Sequence, residues 1–108
     1  MKVKQFDVYW VNLDPTVGSE IRKTRPGVVV SANFLNNLLE TVIVVPITSR
    51  NKYSWPFRLE TVSTNKKASL APDHIRSISK KRLGKKIGVL RGNEQAKLLE
   101  VLQTMFKV

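Results

Sequence analysis

Two polar positions beside apolar runs are the first places in this chain where chemistry could be done. Arg25 precedes Pro26 at the mouth of the apolar segment Val28-Val29-Val30, and Thr48 closes the run TVIVVPIT, residues 41–48. A guanidinium presents a fixed fork of N–H donors that can bind two oxygens of a phosphate, and a hydroxyl can bond another. The same pair would stabilise the dianionic phosphorane that develops when a phosphodiester is cut. The two residues would meet if the segments that carry them pair as strands. On spacing alone the plainer reading stays open: a surface cation, and a strand-end hydroxyl satisfying local backbone.

The residue inventory narrows the possible reactions. With one His and no Cys, the usual zinc ligand sets and a two-histidine acid–base pair are excluded. No HExxH, Walker A or GxGxxG pattern is present. The eight acidic residues are scattered, with no DxD or ExxE cluster to hold Mg²⁺. A nuclease made from this inventory would work without a metal. Nineteen Lys and Arg against eight Asp and Glu give a net charge of +11. That excess concentrates polyanions around the chain and makes their binding salt-sensitive. Nucleic acid, an anionic membrane surface and an acidic protein all fit, and charge alone does not choose among them.

The elements that must position these residues fit one domain, residues 1–108, with 42% hydrophobic and 25% charged residues. No apolar run reaches the ~20 residues needed to span a bilayer. The opening segment has no signal-peptide stretch, since Asp7 interrupts it. A cytoplasmic location is the simplest fit. Residues 6–13 alternate in a period of two and read as a strand ended by Asp14-Pro15, with a polar loop following through Thr24. A second strand covers Val28-Val29-Val30. The third, Thr41–Thr48, contains the run 42–45, which suggests burial on both faces. Residues 33–40 could make a short helix with Phe34, Leu35, Leu38 and Leu39 on one side. Segments 55–61, 68–71 and 76–78 look like further short strands, with Trp55-Pro56-Phe57 as loop or core packing. Gly84 and Gly88 mark a turn or bulge. Asn93 can cap a final helix whose stripe is Leu98, Val101, Leu102 and Met105, widened by Leu99 and Phe106. The expected architecture is mainly β (α+β): a small curved sheet or barrel with a short internal helix and a C-terminal amphipathic helix.

Four blocks in register extend over nearly the whole chain. They are DVYWVNLDPTVGSE at 7–20, TRPGVVVS at 24–31, VVPITS at 44–49 and LAPDHIRSISKKRL at 70–83. In order and spacing they resemble the MazF/PemK toxin family. The resemblance implies an SH3-like or CcdB-like β-barrel, usually a homodimer, that cuts single-stranded RNA, mostly mRNA, through attack of the ribose 2′-OH. The ends left are a 2′,3′-cyclic phosphate and a 5′-OH, and no metal or cofactor is required. Carried over by position, Arg25 binds the scissile phosphate and stabilises its charge, with proton transfer as a further option. Thr48 bonds a non-bridging oxygen, and Glu20 accepts or orients the 2′-OH proton. Ser19, Ser49, Asp73, His74 and Arg76, all within the matching blocks, become substrate contacts.

At His74 the family often has Gln, and an imidazole cannot reproduce an amide's paired donor and acceptor. A cleavage motif therefore does not transfer from a relative. His74 reads as a surface or binding residue before a catalytic one. The clusters Lys80-Lys81-Arg82, Lys85-Lys86 and Lys66-Lys67 could follow an RNA backbone or form a solvated face. Tyr9 and Trp10 could stack on bases, although one of them should point into the core. The C-terminal stripe reads as core or dimer contact before antitoxin contact. An acidic, flexible antitoxin of the MazE/PemI kind is the implied partner. The competing readings are a non-enzymatic CcdB-like toxin that binds a protein target and a basic RNA-binding module without catalysis.

Overall fold

In the computed structural model, which describes residues 2–49, 58–64 and 66–107, the longest strand, β3 (Thr41–Thr48), holds the centre of the sheet. One edge pairs with β2 (Thr24–Val29). The other pairs first with β6 (Arg76–Ser79) and then with β5 (Ala68–Leu70). Pro46, which has no N–H to donate, falls in the gap between those two partners, and its carbonyl accepts from Ala71 at 2.9 Å. Beyond β2 lie β1 (Asp7–Asn12) and β7 (Leu83–Val89), and beyond β5 lies β4 (Leu59–Thr61). The pairings are antiparallel throughout, and β4 and β7 end the path without pairing to each other. The result is the expected mainly β, barrel-like fold with two helices, α1 (Asn33–Leu38) and α2 (Gly92–Met105).

Burial of β3 on both faces follows from two apolar clusters. Val45 and Ile47 join Val8, Val28 and Leu70 on the face that α2 covers with Leu98, Val101 and Leu102. Val42 and Val44 join Tyr9, Val11, Leu13, Val29, Ile78 and Leu83 on the other. The expected alternation in β1 is met: Tyr9 is buried and Trp10 is 41% exposed. Burial, and then the Asp7 carboxylate beside it, push the Tyr9 hydroxyl above its ordinary pKa. Tyr9 is thus a core residue and not a stacking surface.

Several expectations need correction. Asn93 does not cap α2. The N-cap is Arg91, with no side-chain bond, and Asn93 lies within the first turn. Three buried side chains worth about 2 kcal/mol each outweigh a missing cap worth about 1 kcal/mol, so packing holds this helix. Met105, Leu99 and Phe106 lie outside the buried stripe and are exposed. The side of α1 carrying Phe34 and Leu38 faces water, and the buried residue is Asn36, bonded to Ser31. Of the turn or bulge expected at Gly84 and Gly88, the bulge is what forms: both lie inside β7, whose register shifts against β1 there. A Cβ on Gly84 would come within 3.3 Å of the Trp10 carbonyl, which accounts for glycine there. Of the segment 55–61, the structure describes 58–61, with the strand at Leu59–Thr61, and Trp55-Pro56-Phe57 lies outside the described residues.

Glu94, in the first turn of α2, ties that helix to β4. Its carboxylate accepts from Thr61 Oγ1 at 2.6 Å, Ser63 Oγ at 2.5 Å and the Val62 N–H at 3.2 Å. Burial opposes its ionisation. The bonds from Ser63, Thr61 and Val62 and the Arg91 charge outweigh burial, so its pKa lies below the ordinary glutamate value. A lowered folded-state value means this contribution is full above the ordinary glutamate range and is lost as pH falls through the lowered value. Glu94→Gln should therefore cost about 1–3 kcal/mol in urea unfolding near neutral pH. The gap to wild type should close in acid; a gap that persists there would refute the charge-based account.

Candidate active site

The register of β2 against β3 builds the site. Gly27 pairs with Pro46, Val28 with Val45 and Val29 with Val44. Carried on by two residues, that register sets Arg25 opposite Thr48. Side chains two apart share a face, so Arg25 and Thr48 continue the face whose interior holds Val29 and Val44. A Cβ at Gly27 would lie 3.0 Å from Val11 Cγ2, so glycine lets the strands close up just inside the site. Where the apolar cluster ends, the same face opens into a cavity of about 470 Å³. Arg25, Thr48, Ser19, Glu20 and His74 all line it, together with Arg58.

The other wall is the loop between β1 and β2. Gly18, at φ 61°, makes its left-handed bend. Glu20 closes the loop on itself: the Val17 N–H donates to Oε1 at 2.6 Å, and the Glu20 N–H donates to the Val17 carbonyl at 3.3 Å. Arg22 Nη2 donates to the Gly18 carbonyl at 2.9 Å, and Arg25 Nε to the Arg22 carbonyl at 3.4 Å. The loop's base is held from outside. Arg76 Nη1 donates to the Leu13 carbonyl at 3.1 Å, and Arg82 Nη1 to the carbonyls of Asn12 and Asp14.

A second cavity, about 270 Å³, adjoins the first and shares Ser19, Glu20, Ile21 and His74 with it. Asp73, Arg76 and Pro46 complete its polar and apolar lining. Seven of the eight expected site residues thus fall on one two-lobed groove. Ser49 does not line either lobe; it stands exposed just past β3. The basic clusters divide. Lys86 pairs with the buried Asp7 at 3.1 Å, Lys80 Nζ donates to the Asn36 carbonyl at 2.5 Å, and Lys67 meets Glu60 at 3.5 Å. Lys66, Lys81 and Lys85 are exposed to solvent. A separate cavity of about 280 Å³ between β4 and α2 contains none of the expected site residues.

Arg58 was missed by sequence reasoning. It is 7% exposed and pairs side-on with Asp73, Nε to Oδ1 at 3.0 Å and Nη2 to Oδ2 at 3.2 Å. The one available signal was an arginine set between Phe57 and Leu59, where a solvated cation is out of place.

Against known proteins, the chain matches the family described as PemK-like, MazF-like toxins of type II toxin–antitoxin systems over residues 4–106. It is 34% identical over 108 residues to the endoribonuclease EndoA of Bacillus subtilis, covering 95% of this chain and 93% of that protein. It is 32% identical over 110 residues to the endoribonuclease MazF9 of Mycobacterium tuberculosis, covering 94% and 93%. Its fold superposes on the crystal structure of MazF from Deinococcus radiodurans with a TM-score of 0.86 at 22% identity, covering 97% and 96%.

The loop geometry carries its own test. Glu20→Ala should raise amide hydrogen exchange at Val17 several-fold, as loss of one hydrogen bond of about 1 kcal/mol requires, without moving the global unfolding midpoint. Unchanged exchange at Val17 would refute the closure of the loop by Glu20.

Proposed function

The chain belongs to the family of PemK-like, MazF-like toxins of type II toxin–antitoxin systems and is an endoribonuclease of that family; from this premise we propose that it cuts single-stranded RNA without metal, at Arg25 and Thr48. The observation that supports the site assignment is that both line one cavity, each two residues beyond the last β2–β3 pair, Gly27 with Pro46. Arg22, Lys23 and Arg58 border the same cavity, and Glu20 is the carboxylate in its lining. Such a cleft attracts a polyanion and holds one acceptor for a proton.

In the proposed reaction the Arg25 fork binds two oxygens of the scissile phosphate, and the Thr48 hydroxyl bonds a non-bridging oxygen. The ribose 2′-oxygen forms a bond to phosphorus as the bond to the 5′-oxygen breaks. Glu20 takes or orients the 2′-OH proton, and the leaving 5′-oxygen takes a proton from solvent water, so that no net proton is gained or lost once Glu20 returns its own to solvent. A 2′,3′-cyclic phosphate and a 5′-OH result. Arg25 keeps its proton, because a guanidinium hardly deprotonates, and works by charge. Ser19, Asp73, His74 and Arg76 would touch the flanking nucleotides, and Ser49 would lie at the rim.

A cytoplasmic site of action, where mRNA is found, goes with this reading. Among the described residues no helix is long and apolar enough to cross a membrane. An acidic antitoxin peptide suits the cationic cleft, because it would compete with RNA for the same charges. A homodimer is the proposed assembly, with the exposed Phe34, Leu38 and Phe106 as apolar surface available for burial.

Purified protein incubated with long single-stranded RNA in excess EDTA should leave cyclic-phosphate ends. Arg25→Ala and Thr48→Ala, shown to be folded, should each lower the rate by about 10²–10³-fold. Full cleavage by either variant would remove the site assignment. RNA that is retarded on a gel but uncut by wild type would favour a binding module.

A further inference from the structure

Arg58 is a cation that the cleavage step does not use. It precedes β4, its side chain is 6% exposed, and it borders the cavity of Arg25 and Thr48. Its bidentate pairing with Asp73 links two segments 15 residues apart. The backbone of the Pro72–His74 3-10 turn is fixed to β3 through the Ala71 bond to Pro46, at 2.9 Å. Arg58 adds a second fixed point, on the turn's side chains. An ion pair with one buried partner, Arg58, and one part-exposed, Asp73, is a weak source of stability, because desolvation offsets the attraction. A side-on guanidinium fork is a strong source of orientation. What it orients is plain from the next contact: Asp73 Oδ2, already held by Arg58, lies 3.5 Å from His74 Nε2.

We propose that Arg58 is a positioning residue for base selection: by holding Asp73 it sets the orientation and tautomer of His74, and so which base the groove accepts beside the scissile phosphate. The inference rests on the RNA-cleaving reading above. His74 belongs to both lobes of the groove, so a base seated in the Asp73, Arg76 and Pro46 lobe meets its ring. A carboxylate facing Nε2 favours a proton on that nitrogen. In the neutral ring Nδ1 is then an acceptor, which suits a base edge that offers an N–H. Without Asp73 held in place, either tautomer would serve, and the groove would read donor and acceptor edges alike.

His74 is the single histidine of the chain, so long-range ¹H–¹⁵N imidazole spectra report on it without ambiguity. At a pH where the ring is neutral, the Nε2–H tautomer should dominate in the free wild-type protein. Arg58→Ala and Asp73→Asn should each mix the tautomers, and the double variant should go no further than either. Asp73→Asn keeps the shape of the site and decides the matter if Arg58→Ala does not fold. A ring that is unchanged in the variants overturns the proposal, whether or not the chain cuts RNA. On a random-sequence RNA pool both variants should shift preference at one base position by about tenfold, the scale of one lost hydrogen bond. On an oligonucleotide that is abasic there, the gap between wild type and Arg58→Ala should be smaller, by about the same tenfold, than on the one that carries the preferred base. A uniform loss at every site, the abasic one included, overturns the proposal in favour of phosphate binding by Arg58. Wild type that leaves all RNA intact refutes the cleavage reading instead, and the tautomer result then decides the role of Arg58.

Discussion

Strand β3 pairs along both edges, and its pairing with β2, Val28 against Val45 and Gly27 against Pro46, decides which of its side chains meet water. A slip of one residue would exchange the two faces of a strand. Val45 and Ile47 would leave the cluster under α2, and Thr48 would turn toward it. On β2 the same slip would carry the Arg25 guanidinium toward Val28's apolar surroundings, at a cost of several kcal/mol for a desolvated charge. Two apolar clusters on opposite faces forbid that exchange from both sides. The geometry of the candidate site is thus enforced by core packing that lies outside it. Arg25 and Thr48 are where a core-forming face runs out of apolar residues.

Much of the positive charge does structural work around that face. Arg76 and Arg82 come from β6 and from the turn after it, yet both bond carbonyls within residues 12–14. They pin the root of the loop that forms the second wall. Lys86 neutralises Asp7, whose side chain is 3% exposed. Arg58 does the same for Asp73. The count of nineteen Lys and Arg therefore overstates how many cations face the cleft. The smaller set bordering the cleft includes Arg22, Lys23 and Arg25, and on the proposed reading these would steer RNA to it. A loop wall can hold a reactive geometry when its ends are fixed by charge-assisted bonds to backbone, and this one is.

The fold was largely legible because its determinants are local. The period of two in residues 6–13, the uninterrupted run 42–45 and the helical spacing of Leu98, Val101 and Leu102 each state which face is buried. Where the reading went astray, a partner distant in the chain decided the outcome. Asn93 looked like a cap, but Thr61 and Ser63 reward the neighbouring Glu94 and move the helix start. Gly84 could mark a turn or a bulge, and only the register against β1, with the Trp10 backbone close by, decides for the bulge. At the site, spacing brought Arg25 and Thr48 together only if their strands paired, and the resemblance of the motif blocks was what singled them out. Arg58 was not singled out, since its meaning lies in Asp73, and no local pattern ties those two positions.

The two-lobed groove also bears on why the substrate should be single-stranded. One lobe holds Arg25 and Thr48, the proposed phosphate-binding pair, and the other adjoins it through a wall formed by His74 and the loop 19–21. Attack by a 2′-oxygen needs that oxygen, phosphorus and the departing 5′-oxygen close to a line, a near-attack geometry that must be held in place. Nucleotides stacked in a duplex are not splayed in this way, and unstacked bases can be. Binding energy from a base drawn into the second lobe can be used to hold the backbone in the first. Base selection and rate would then come from one interaction. A groove whose base-reading wall is fixed by Arg58 and Asp73 would lose speed on the wrong sequence and not merely affinity.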